Sequence, residues 1–134
     1  MASIDEIEGV GPAYAEKLTA ASVKTVEALL ESGATVAGRK GLAEQTGISD
    51  HLILTWVNHA DLFRIKGVAG EYAELLEAAG VDTVPELAER NAANLHAKLT
   101  EINESKHLVR RVGSEADVEK WIAEAKTLER AVHF

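Results

Sequence analysis

Apolar residues along this chain recur at spacings of three and four, and no segment alternates with period two convincingly enough to make a strand. The pattern predicts helices throughout. Tyr14, Leu18 and Ala21 form one stripe, with Glu16 and Lys17 turned outward. Val26, Leu29 and Leu30 form a shorter stripe that Thr25 caps and Gly33 ends. Val36, Leu42 and Ala43 suggest a third helix, weakened by Gly38 and Gly41 and stopped at Gly47. Ser49 caps the clearest helix of the first half, where Leu52, Ile53, Trp56, Val57 and Ala60 share a face. In the second half Gly80 stops a helix, and Thr83 with Glu86 reads as a capping box around Val84 and Pro85. Asn91 starts a helix striped by Ala92, Leu95, Leu99 and Ile102, and Ser114 caps a closing one striped by Val118, Trp121, Ile122, Ala125 and Leu128.

The stripes are not independent. Ile7 to Leu18, Ile-Glu-Gly-Val-Gly-Pro-Ala-Tyr-Ala-Glu-Lys-Leu, returns 58 positions later as Ile65 to Leu76, Ile-Lys-Gly-Val-Ala-Gly-Glu-Tyr-Ala-Glu-Leu-Leu. Between Ile7 and Leu29, 13 of 23 positions are identical to their counterparts, which marks an internal repeat of roughly 60 residues. Trp121, Ile122 and Ala125 echo Trp56, Val57 and Ala60, so the repetition reaches the closing helix. Residues 1–61 and 62–134 are the two copies, the second lengthened by an excursion, 104–112, that holds a basic cluster. No Pro-, Gly- or Ser-rich spacer parts them, so the expectation is a rigid pair rather than two tethered beads.

Gly9 and Gly11 flank Val10 and precede Pro12, giving two positions free to take positive φ and then a proline suited to the first residue of a helix. Ile4 and Ile7 stand three apart on a short preceding turn that Ser3 is placed to cap. The order is helix, glycine hairpin, helix. The second copy departs from it, with Ala69 in place of the second glycine and Gly70 in the position of Pro12.

Ile4, Ile7, Gly9, Val10, Gly11, Ala15 and Leu18 resemble the helix-hairpin-helix motif, in which apolar, Gly, apolar, Gly makes the turn and a small residue four later lets the helices approach. The chain is also similar to an uncharacterised microbial family built on such repeats, through phrases such as 75–84 (Leu-Leu-Glu-Ala-Ala-Gly-Val-Asp-Thr-Val), 94–99 and 108–111. The resemblance implies an all-α fold of two tandem helix-hairpin-helix (SAM-like) bundles packed as one compact body. It also implies hairpin amides able to grip a phosphate, and brings no established activity.

Charge turns the picture away from nucleic acid. The net charge is −8, with four Lys/Arg against eight Asp/Glu in residues 1–60 and ten against fourteen in 61–134. That is the wrong sign for a phosphate backbone, whose affinity grows with the number of phosphates neutralised. Six aromatic residues are too few for a base-stacking surface. The absence of cysteine removes disulfides, thiolate catalysis and cysteine-ligated metal sites, and His51, His59, His96, His107 and His133 show no paired ligand spacing. No nucleophile elbow, phosphate loop or carboxylate pair is present. The acidic start and the short apolar runs point to a cytoplasmic protein without a membrane span.

The expectation is therefore a non-catalytic binding module with no cofactor and no metal, acting on a protein partner. Weak, sequence-nonspecific contact with a DNA backbone is the alternative. Candidate contacts are Gly9, Val10, Gly11 and Lys17 at the first hairpin, Arg64, Lys66, Gly67 and Gly70 at the second, and Lys106, Arg110 and Arg111 in the basic excursion. Each has a plain structural alternative: a glycine that merely permits a turn, or a solvated charge.

Overall fold

A computed structural model describes residues 2–134; Met1, which opens the acidic start, lies outside them. The chain is all-α. A 3-10 turn at Ile4–Glu6 is followed by α1 (Pro12–Ala20), α2 (Val26–Ser32), α3 (Val36–Thr46), α4 (Asp50–Leu62), α5 (Gly70–Ala78), α6 (Val84–Ala88), α7 (Ala92–Lys106) and α8 (Glu115–Ala125). The described residues contain no strand, only an isolated bridge between Ser3 and Thr25.

Contacts divide the chain into two units, the first running up to Asp61 and regaining Ala131–Phe134, the second Leu62–Arg130. The assignment of 131–134 to the second repeat is thus corrected. The His133 N–H donates to the Ala34 carbonyl at 2.7 Å, and Val132 is buried, which ties the segment to the first unit. That unit's core gathers Ile7, Leu18, Leu29, Ile53, Trp56 and Val57. The second unit packs Leu62, Ile65, Leu75, Leu76, Leu87, Leu95, Leu99 and Trp121 together. Burying these side chains is what holds such short helices, since elements of five to fifteen residues are marginal alone.

Local chemistry sets the helix starts. Thr25 Oγ1 accepts from Ala28 N–H at 3.0 Å, Ser49 Oγ from Leu52 N–H at 3.3 Å and Asn91 Oδ1 from Asn94 N–H at 3.0 Å. Ser114 and Asp117 complete a reciprocal box at 3.1 and 3.0 Å. The box expected at Thr83 is different: the Thr83 hydroxyl donates to Glu86 Oε1 at 3.3 Å, and Glu86 Oε2 accepts from Asp82 N–H one residue further back. The buried Thr83 hydroxyl is turned to the carboxylate, which can only accept, and makes no cap bond to the helix. The helix begun at Asn91 runs on to Lys106, so the first three residues of the expected excursion are helical. Gly38 is more than a weak spot in α3, because a Cβ there would stand 2.2 Å from the Ser32 carbonyl oxygen.

Equivalent bonds recur in the two units. Val10 N–H donates to Ile7 O at 3.1 Å and Val68 N–H to Ile65 O at 3.0 Å; Ala15 donates to Gly11 at 2.9 Å and Ala73 to Ala69 at 2.8 Å. Both following helices close with a reach of five residues, Val23 to Leu18 at 2.8 Å and Val81 to Leu76 at 2.9 Å. That closure needs a left-handed residue, which is Gly80 at φ 91° in the second unit but Ser22 at φ 69° in the first. A serine there carries a steric cost that glycine lacks, only partly offset by the greater unfolded-state freedom of glycine. Ser22→Gly is expected to stabilise the protein by about 0.5–1 kcal/mol, read as a higher midpoint in thermal denaturation.

Candidate binding surfaces at the glycine turns

Each unit contains the same three-residue constellation. Gly9 has φ 92° and Gly67 φ 93°, conformations that side chains rarely adopt. A Cβ on either would lie 3.4 Å from a tryptophan Nε1, that of Trp56 or Trp121. The same indoles meet Tyr14 and Tyr72 edge to face, with ring centroids 5.0 and 5.1 Å apart. Such pairs contribute roughly 0.5–1.5 kcal/mol beyond the area they bury. The turn, the first long helix and the closing helix of each unit are thereby fixed to one another.

The expectation that Gly11 also exploits positive φ is corrected. Gly11 is an extended helix cap with φ −81° and ψ 179°, a Cβ on it would meet nothing within 4 Å, and Ala69 holds the equivalent place at φ −124° and ψ −168°. Cap geometry, not the missing side chain, decides that position. Val10 and Gly70 are both buried, Val10 among the core side chains.

The first turn presents Gly9 with Glu6 and Glu8 exposed nearby in the chain. The Glu6 carboxylate accepts from Ser3 N–H at 2.6 Å, and Lys17 Nζ lies 6.0 Å from the Tyr14 ring centroid, at the outer limit of a cation–π contact.

At the second turn, two of the expected contacts are engaged within the unit. Lys66 N–H donates to Glu124 Oε1 at 3.0 Å, and Arg64 Nη2 donates to the Glu129 carbonyl at 2.7 Å. A shallow cavity of about 450 Å³ opens here, lined by Lys66, Gly67, Asp117, Lys120, Trp121 and Glu124. Asp117 sits well inside the carboxylate range of ionised groups: the Ser114 amide and hydroxyl, then the Lys120 and Arg111 cations, pull its pKa down.

The basic segment is held from beneath. His107 closes α7 in the left-handed conformation at φ 51°. The Asn103 side chain both donates to the Val109 carbonyl and accepts from its N–H, each at 2.9 Å. Tyr72 donates its hydroxyl to the Arg111 carbonyl at 2.6 Å and accepts from Gly113 N–H. Burial, the leading cause, raises the Tyr72 pKa, so the phenol stays a donor. With Val109 buried, Lys106, Arg110 and Arg111 face solvent.

The sequence of residues 8–128 matches a family described as Domain of unknown function (DUF4332). The chain belongs to the DUF4332 family. No curated protein and no solved structure matches it. Among the described residues of this DUF4332 chain, no helix is long and apolar enough to cross a membrane, and no group of three or more His, Asp or Glu side chains is placed to hold a metal ion.

Sequence reasoning missed Asp117, Lys120 and Glu124, although their spacing around Trp121 on one helix was available as a signal. Two outcomes test the geometry. Gly9→Ala is expected to cost roughly 1–2 kcal/mol in chemical denaturation, while Gly11→Ala stays within about 0.5 kcal/mol of the parent. Tyr72→Phe, which strands an N–H and a carbonyl, is expected to cost about 1–2 kcal/mol; Tyr14→Phe, whose hydroxyl has no such bonds among the described residues, should cost less.

Proposed function

We propose that this chain is a non-catalytic helix-hairpin-helix module whose task is protein association. The observation that carries the reading is the Glu124 carboxylate on the Lys66 amide. In a phosphate-gripping turn that amide would face the ligand. Here an internal anion already accepts from it, and Arg64 is engaged by the Glu129 carbonyl. A phosphate approaching the second turn would also meet Asp117, and one approaching the first would meet Glu6 and Glu8. With a net charge of −8, these local terms are not rescued by the long-range field.

The mixed-charge face around Lys66, Asp117, Lys120 and Glu124 suits a protein surface, where paired charges of both signs give orientation and specificity. Sequence-nonspecific DNA-backbone contact remains the second reading because Gly9 leaves the first turn exposed, with Gly11 half-buried behind it.

Fluorescence anisotropy with a labelled plain duplex separates the two. The protein-association reading expects no binding at about 50 mM salt, whereas a phosphate-directed module would bind there and lose affinity steeply as salt rises. In a pull-down from native extract, captured proteins are expected to persist after nuclease treatment. Partners that vanish with the nucleic acid would sink the reading.

A further inference from the structure

Ala131–Phe134 lies on the first unit as a peptide lies on a receptor. Val132 is 1% exposed. The His133 N–H donates to the Ala34 carbonyl at 2.7 Å, and the His133 carbonyl accepts from Arg39 Nη2 at 2.8 Å. Arg39 Nη1 donates to the Gly33 carbonyl, also at 2.8 Å, so one guanidinium joins the corner between α2 and α3 to the backbone of the segment. The Phe134 ring centroid is 5.8 Å from that guanidinium carbon, and Phe134 itself is 67% exposed.

Arg39 is an expensive residue for this place. It is 7% exposed, and burial alone lowers its pKa. It donates to two backbone carbonyls, one of them on the docked segment. A buried cation that spends half its fork on an extended backbone reads main chain. Val132 is the buried apolar side chain of the segment, and the guanidinium face meets an aromatic ring two positions on. His133 between them is exposed and is read only through its backbone.

We propose that the α2–α3 corner of the first unit is a docking site for an extended peptide in which a β-branched apolar residue is followed two places later by an aromatic. Ala131–Phe134 is its resident occupant, and a segment of the same pattern on another protein chain is its competitor. The site shares no residue with the glycine turns and does not rest on the function proposed for them. Exchange is physically accessible because the resident segment is non-helical. Releasing it opens one apolar socket and a few hydrogen bonds while the helices stay packed.

The test uses the full chain with Val132→Asp, which dislodges the resident segment, and a labelled synthetic peptide of residues 128–134. The peptide is expected to bind the Val132→Asp chain about tenfold or more tightly than the parent, whose site is occupied. Adding Arg39→Gln should abolish that binding, as should Asp in place of Val in the peptide. A Val132→Asp chain that is folded by circular dichroism yet binds no peptide, or binds the Asp-containing peptide equally, overturns the proposal. Should that variant not fold, hydrogen exchange on the parent decides. The His133 amide is expected to exchange well before those of Leu29 and Val57, and faster with excess peptide. Exchange of His133 only with the whole unit, unmoved by peptide, overturns it equally.

Discussion

A glycine pressed against an indole is the contact on which each unit depends. At Gly9 and Gly67 the chain reverses with φ near +90°, and the tryptophan Nε1 3.4 Å from the absent Cβ sets how near the closing helix comes. Because Trp56 lies in α4 and Trp121 in α8, this contact joins the beginning of a unit to its end. Tyr14 and Tyr72, meeting the same rings edge to face, fix the intervening helix as well. A turn glycine, a nearby tyrosine and a tryptophan distant in the chain thus define a closed body, and the apolar stripes fill what they enclose.

Around that shared interior the exposed positions have gone separate ways. Glu8 in the first unit corresponds to Lys66 in the second, Pro12 to Gly70 and Ser22 to Gly80. Lys17 is exposed whereas its counterpart Leu75 is wholly buried, because α7, with fifteen residues against the eleven of α3, packs on α5 and covers more of it. Counting forward from the tryptophans, Glu124 corresponds to His59. The turn is thus a scaffold on which different charges are displayed, and its geometry alone does not say what the display is for.

Much of the fold was legible because its signals are local. Thr25, Ser49, Asn91 and Ser114 cap the helices they precede, since a cap is decided within three residues. The repeat announced the paired turns. Conformation at Gly11 was not legible, because a glycine permits positive φ without requiring it, and Ala69 showed that the place does not need it. Thr83 misled for a related reason: its spacing to Glu86 is right for a box, but the spacing does not say whether the hydroxyl turns to the helix amides or to the carboxylate. The least legible residue was Arg39. It stands in a polar run between Gly38 and Lys40, and its partners are backbone carbonyls that carry no residue-type signature, one of them 94 positions away. At the second turn Lys66 and Gly67 were foreseen, but the carboxylates and Lys120 beside them depend on which face of α8 turns inward.

The segment after α7 is exposed, charged and without regular structure, the kind of stretch at which proteases usually cut. A protease must first pull its substrate into an extended strand. Asn103 holds Val109 by both backbone groups, Tyr72 holds Arg111 and Gly113, and Ser114 is boxed to Asp117. Anchors at 109, 111, 113 and 114 leave no slack between them, so trypsin-like cleavage after Arg110 or Arg111 has to wait for these clasps to open. The abundance of basic residues there advertises a vulnerability that the backbone withholds.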